Sequence, residues 1–139
     1  MAEDGPPLPK VVMDRPIHLD TNYLVKFSAG RHEAIAERVF GWISGRRELY
    51  AGAMAWVEFQ CGPLGPRDLA AAQEMLHGVL PITLEQANRA AWLFQQTGRR
   101  SRSLPDCLIA ACAMEHGALL ATDNAKDFKP FVAHGLELA

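Results

Sequence analysis

The chain has 139 residues, of which 49% are hydrophobic and 22% are charged, and its formal net charge is −2. This composition is typical of a globular protein rather than a disordered or fibrous one, and the length fits one domain. The small negative charge argues against binding nucleic acid over the whole surface, although a local basic patch stays compatible with it. No apolar run approaches the ~18 residues that span a bilayer, so we expect no membrane segment.

The N-terminus is acidic and rich in proline, and it lacks the charged-then-apolar layout of a secretory signal. We expect residues 1–14 to form a flexible tail, residues 15–139 to form a single domain, and the protein to be cytoplasmic. The odd number of cysteines and the absence of CxxC spacing favour free, buried thiols in a reducing compartment. These cysteines are Cys61, Cys107 and Cys112.

Short apolar segments alternate with segments of helical spacing along the chain. We predict strands at 17–19, 48–51, 79–82, 118–121 and 135–138, and helices at 23–29, 34–43, 53–61, 68–77, 87–98 and 105–117. Pro81 indicates that the third strand lies at a sheet edge. The alternation predicts an α/β fold whose central parallel sheet is flanked by helices on both faces.

Acidic residues occur where apolar stretches meet polar breaks. They are Asp20, Glu58, Asp106, and the pair Asp123 and Asp127 on either side of Asn124. Carboxylates against apolar surface are costly, and grouped carboxylates raise one another's pKa values. Because ligands of parallel sheets collect at the carboxyl ends of the strands, where several of these residues lie, one shared cleft is possible. A divalent cation such as Mg²⁺ or Mn²⁺ would remove the penalty.

Each acid also has a simpler explanation when it is taken alone. Asp20 could be a turn or N-cap residue, and Glu58 could belong to a structural salt bridge. Asp106 could stabilise the dipole at the start of its helix. Asp123 and Asp127 could be turn formers on a solvated face.

Four segments in one order make the joint pattern more specific. They are Leu19-Asp20-Thr21-Asn22, Trp56-Val57-Glu58-Phe59, Leu104-Pro105-Asp106-Cys107-Leu108-Ile109-Ala110-Ala111, and Leu120-Ala121-Thr122-Asp123-Asn124-Ala125-Lys126-Asp127-Phe128. Together they resemble the PIN-domain nucleases, most closely the VapC-like toxins of bacterial toxin–antitoxin pairs. The resemblance extends from about residue 16 to the C-terminus.

The resemblance implies metal-site acids at Asp20, Glu58 and Asp106. It places Asn124 at the fourth position, where a neutral oxygen reduces the charge by one, and Asp127 at a further position that can contribute. Asp123 stands where relatives often carry a basic residue, so the family pattern assigns it no role. Thr21 and Asn22 follow the first acid and are candidates for orienting Asp20 or a metal-bound water, and Thr122 is a further orienting candidate.

The implied chemistry is Mg²⁺- or Mn²⁺-dependent hydrolysis of RNA such as tRNA, rRNA or mRNA. Three arginines before the Asp106 helix are candidates for RNA binding, with a solvated loop as the alternative: Arg99, Arg100 and Arg102. The resemblance also implies a homodimer and a cognate antitoxin. The histidines show no HxH or HExxH spacing, so they predict no competing metal site.

Two other function classes stay open from the sequence. A binding module of the same fold that has lost activity is supported only by Asn124, and the three acids argue against it. A metal-dependent nuclease acting on DNA or another phosphate ester fits the same acids, because metal and water do not read the sugar.

Overall fold

The computed structural model describes residues 15–139, and the tail predicted at residues 1–14 lies outside them. The described part is an α/β fold with four strands and seven helices. The strands are β1 (Ile17–Leu19), β2 (Leu49–Gly52), β3 (Gly78–Leu80) and β4 (Leu119–Ala121). The helices are α1 (Thr21–Ala29), α2 (Glu33–Ser44), α3 (Ala53–Cys61), α4 (Pro66–Met75), α5 (Leu84–Gln96), α6 (Leu104–Glu115) and α7 (Ala125–Val132).

All strand pairings in the sheet are parallel, and the order is β3-β2-β1-β4. Ile17 of β1 pairs with Leu49 of β2 and with Leu119 of β4, so the carboxyl ends of the central strands meet at one edge. β3 is an edge strand as predicted, and Pro81 follows it directly. The predicted fold class is confirmed.

Apolar residues of the strands and of the surrounding helices form one continuous core. Every residue of β1 and β4 is buried, which is the pattern of a parallel sheet covered on both faces. Small residues let α6 pack closely against the sheet and the neighbouring helices, since Ala110, Ala111 and Ala113 are all buried. The first turn of α6 lies near the carboxyl ends of β1 and β4, because residues that follow these strands line one cavity with Asp106.

The C-terminal part of the chain differs from the prediction. Residues 125–132 form α7, which the sequence pattern did not indicate, and the expected strand at 135–138 is reduced to a single bridge between Leu120 and Leu138. Gly135 has φ of +110°, and Leu136 donates its N–H to the carbonyl of Phe131. This turn occupies residues 133–135, so pairing with β4 begins only after it and is confined to the bridge at Leu138.

Buried polar residues of the core include a histidine in β1. His18 is 1% exposed, and its Nε2 lies 2.8 Å from Nδ1 of His116. Burial, with a smaller contribution from His116, lowers the pKa of His18 to about 3. His18 is therefore a neutral core residue at neutral pH.

All three cysteines are free, as expected. Cys107 and Cys112 are buried in α6, but Cys61 is exposed at the end of α3. The expectation of burial was wrong for Cys61, because the following Gly62 and Pro63 end the helix at the surface. No helix within residues 15–139 is both long and apolar enough to cross a bilayer.

Candidate active site

A cavity of about 250 Å³ lies at the carboxyl ends of the strands. Six of its lining residues are candidates from the sequence: Asp20, Thr21, Asn22, Glu58, Asp106 and Asn124. Ile109 and Phe128 complete the lining with apolar surface. The fold thus brings together segments that are far apart in the chain, in the arrangement expected of parallel sheets.

Asp20 is held by hydrogen bonds to both carboxylate oxygens. It caps α1, because Oδ1 accepts the N–H of Tyr23 at 2.9 Å, while Oδ2 accepts the hydroxyl of Thr122 at 2.5 Å. The residue is 3% exposed, and burial raises the pKa of Asp20 above its ordinary value although both hydrogen bonds oppose the shift. A buried carboxylate with a fixed orientation results.

Glu58 approaches the cavity from α3 and is half-buried. Its Oε1 accepts the hydroxyl of Thr21 at 2.6 Å. The Thr21 hydroxyl therefore donates to Glu58 and not to the Asp20 carboxylate, which accepts from the Thr122 hydroxyl instead. Asn22 lines the cavity and has no side-chain hydrogen bond to another described residue.

Asp106 lies in the first turn of α6, where the helix dipole favours a negative charge. Burial nevertheless raises the pKa of Asp106 to about 6, with further contributions from Glu58, Asp127 and Asp20. None of the salt bridges within residues 15–139 involves these four acids. No basic side chain of the described part of the chain therefore balances their mutual repulsion in an ion pair.

Asn124 and Asp127 form a pair at the start of α7. The side-chain amide of Asn124 donates to Oδ2 of Asp127 at 2.6 Å, and its backbone N–H donates to Thr122 Oγ1 at 2.9 Å. Asp127 itself lines a neighbouring cavity rather than the acidic one. Asp123 instead forms an ion pair with Lys26 of α1, which gives it a structural contact.

The donor set fits a divalent cation that keeps water in its coordination shell. Within residues 15–139, no three His, Cys, Asp or Glu side chains converge closely enough to enclose an ion by themselves. Mg²⁺ needs only one or two protein carboxylates, since it retains several waters. Three carboxylates around an open cavity meet that requirement, and a cation would also favour the charged form of Asp106, whose pKa is raised by burial and then by its acidic neighbours.

The predicted RNA-binding arginines lie beside this site but not all at one surface. Arg100 and Arg102 line the second cavity, which shares Asp106 with the acidic one, while Arg99 lines neither. Arg99 has φ of +57° and follows Gly98, which has φ of +95°. This left-handed turn precedes the 3₁₀ turn Ser101–Ser103 that carries Arg102.

Two further residues of the second cavity, Lys126 and His134, were not among the sequence candidates. Lys126 stands between Asn124 and Asp127, so its place within the fourth motif could have indicated a position near the site. No comparable signal marks His134, which reaches the cavity from the turn after α7.

A family comparison matches the PIN domain to residues 17–130. The chain therefore belongs to the PIN-domain family, and the resemblance read from the four segments is confirmed. No curated protein matches the chain.

Several solved structures share this fold over most of the chain. VapBC2 from Rickettsia felis, bound to a promoter DNA fragment, has a TM-score of 0.72 at 20% identity, covering 88% of this chain and 96% of the other. VapBC-1 from nontypeable Haemophilus influenzae has a TM-score of 0.64 at 21% identity, covering 88% and 96%. FitAcB from Neisseria gonorrhoeae has a TM-score of 0.63 at 22% identity, covering 88% and 95%.

Proposed function

We propose that this protein is a Mg²⁺- or Mn²⁺-dependent endoribonuclease and the toxin of a toxin–antitoxin pair. The observation that carries the proposal is the cavity that Asp20, Glu58, Asp106 and Asn124 share in a PIN domain. Three carboxylates facing one cavity are poorly suited to binding a polyanion unless a cation is present. A bound divalent ion reconciles acidic lining with a phosphodiester substrate.

The residues proposed to hold the ion, directly or through water, are Asp20, Glu58, Asp106, Asn124 and Asp127. When bound, the ion lowers the pKa of a coordinated water and offsets charge that develops on the phosphate. Asp20 is suited to act as a metal ligand, because Thr122 and the N–H of Tyr23 fix its carboxylate before any ion binds. This preorganisation reduces the ordering that binding would otherwise require.

Glu58 is the proposed residue for orienting the attacking water. The Thr21 hydroxyl fixes Oε1 of Glu58. The other oxygen, Oε2, accepts no side-chain hydrogen bond from another described residue. A carboxylate held at one oxygen can accept a hydrogen bond from water at the other. Burial, with contributions from Glu58, Asp127 and Asp20, raises the pKa of Asp106 to about 6, so a bound cation would favour its charged form.

The proposed partners are a cognate antitoxin and a second copy of the chain, and the proposed location is the cytoplasm. The similar solved structures support an antitoxin partner, since one from Klebsiella pneumoniae is described as a toxin–antitoxin complex. Exposed apolar side chains on α1 and α2 also suit a protein partner: Val25, Phe40 and Ile43.

RNA cleavage by the purified, antitoxin-free protein tests the activity. We expect discrete fragments from total RNA with Mg²⁺ or Mn²⁺ and none with EDTA. Asp20→Asn and Asp106→Asn should each reduce the rate by at least about a hundredfold, because each removes a charged metal ligand. Glu37→Gln, at an exposed position of α2, is the matched control, and this variant should cleave at the wild-type rate.

The two open alternatives give different results in this experiment. Folded protein that cleaves no RNA under any metal would contradict the nuclease proposal and favour an inactive binding module. Equal cleavage of single-stranded DNA would contradict the restriction to RNA.

A further inference from the structure

The second cavity has about 670 Å³ and adjoins the acidic one at Asp106, which lines both. Its size falls in the range of about 300–1,000 Å³ that holds small organic ligands. We propose that this cavity binds a nucleotide of the RNA next to the phosphodiester that is cleaved. The inference rests on the proposed function, and it assigns Lys126, His134 and Gln96 to substrate binding.

The cavity supplies cations for a phosphate group. Arg100 and Arg102 come from the turn before α6, and Lys126 comes from the first turn of α7. None of the three forms an ion pair with another described residue. Unpaired cations on a concave surface raise the local concentration of a polyanion.

The acids of this cavity lie toward the acidic site. Asp106 belongs to both cavities, and Asp127 accepts a hydrogen bond from Asn124, which lines the acidic one. The basic and acidic groups therefore form adjoining surfaces. An RNA strand can place one phosphate near the acids and a neighbouring phosphate near the cations.

The same cavity offers surface that suits a nucleobase. Pro130 contributes exposed apolar lining with the buried Phe131 beside it, and His134 contributes an aromatic ring. Trp92 supports that ring in an edge-to-face contact, with ring centroids 5.4 Å apart and planes at 86°. Unstacked RNA bases commonly stack on aromatic side chains, including histidine.

Two side chains of the lining are free to read the edge of a base. Gln96 and His134 have no side-chain hydrogen bond to another described residue. The nearby hydroxyls already donate, Thr97 to the carbonyl of Leu93 and Ser103 to the carbonyl of Arg100, both at 2.7 Å. Base selection would therefore depend mainly on Gln96 and His134.

The test measures binding of a short, random-sequence, single-stranded RNA by fluorescence anisotropy over a range of KCl concentrations. Ca²⁺ replaces Mg²⁺, and a denaturing gel verifies that the RNA stays intact. Lys126→Met should reduce the slope of log K against log salt by about 0.7, the value for one lost phosphate contact. Lys129→Met is the matched control on the same helix, and it should leave the slope unchanged because Lys129 lines neither cavity.

His134→Ala tests the base rather than the phosphate. It should weaken binding by about tenfold without changing the salt slope, and His134→Phe should recover most of the affinity because it retains a stacking ring. An acidic peptide would also use the three cations but would not require a stacking ring. An effect of Lys126→Met on RNA binding without any effect of His134→Ala would therefore overturn the nucleotide assignment.

Cleavage assays of the same variants separate this inference from the proposed function. The nucleotide assignment would be overturned, and the nuclease proposal would stand, if wild-type protein cleaves RNA but Lys126→Met and Lys129→Met give the same RNA affinity, salt slope and cleavage rate. Protein that cleaves nothing but binds RNA in a Lys126- and His134-dependent manner would overturn the nuclease and support the cavity.

Discussion

At the scale of single residues, Asp20 combines two roles that the sequence presented as alternatives. It caps α1 through the N–H of Tyr23, and it also lines the acidic cavity. The capping geometry fixes one oxygen, and Thr122 fixes the other. A structural contact thus orients the carboxylate that the proposed metal would need, so the simple explanation of Asp20 does not compete with the functional one.

The raised pKa of Asp106 predicts how stability depends on pH without metal. Its folded pKa of about 6 exceeds the ordinary value of 3.8, so the folded state favours the protonated form. This stabilising effect is complete below about pH 4 and is lost as pH rises through 6. A pKa difference of about two corresponds to about 2.7 kcal/mol of stability. Solvent screening at this half-exposed group reduces that contribution to on the order of 1 kcal/mol.

Asp106→Asn should therefore increase the free energy of unfolding at pH 7.5 by on the order of 1 kcal/mol in EDTA, because it removes the buried charge. Urea denaturation of both proteins from pH 4 to pH 8 measures the difference. The difference in the free energy of unfolding in favour of the variant should grow between pH 4 and pH 6 and then level off. A variant that is less stable than wild type at pH 7.5 would contradict this account of the carboxylate.

At the scale of elements, the join between β2 and α3 positions Glu58. Gly52 ends β2 and caps α3, and a Cβ added there would lie 2.9 Å from Sγ of Cys112 in α6. Only glycine permits this approach without a shift. Since the first turn of α6 carries Asp106 and α3 carries Glu58, the distance between these two helices also determines the distance between two site acids.

Gly52→Ala should lower the free energy of unfolding by about 1–3 kcal/mol, the usual cost of inserting a methyl group into a packed core. Chemical denaturation measures the loss, and the cleavage rate should fall as well because Glu58 moves relative to Asp106. Gly41→Ala in α2 is the control, since nothing lies within 4 Å of the added Cβ. It should stabilise the protein by about 0.5–1 kcal/mol; equal effects of the two changes would argue against a close approach at Gly52.

At the scale of the whole molecule, the acidic cavity exists only in the folded chain. Its lining comes from segments at both ends and in the middle of the described residues. Arg15 joins these ends, because it forms a salt bridge with Glu137 and donates to the carbonyl of Gly117. A ligand of this cavity should therefore stabilise the complete fold.

Mn²⁺ or Mg²⁺ at about a hundred times its dissociation constant should raise the free energy of unfolding by about 2.7 kcal/mol. Differential scanning fluorimetry with and without metal measures the effect independently of RNA cleavage. Asp20→Asn should largely abolish the shift, and Glu37→Gln should retain it. An equal shift in all three proteins would mean that the ions act elsewhere on the surface.

The sequence by itself determined the alternation of apolar strands and helices, and with it the parallel sheet. It also identified acids beside the strand ends, because side chains after parallel strands collect at one edge. Helix α7 was missed, since the fourth motif was interpreted through its polar residues rather than through Phe128 and Phe131, which α7 buries.

Only the tertiary structure decided which side chains meet. It paired Thr21 with Glu58 and Thr122 with Asp20, and it placed Lys126 and His134 at one cavity with Arg102. Local propensity does not encode such contacts, because they depend on how helices that are distant in the chain pack around the sheet. The sequence therefore supplied the types of residues in the site, and packing supplied their partners.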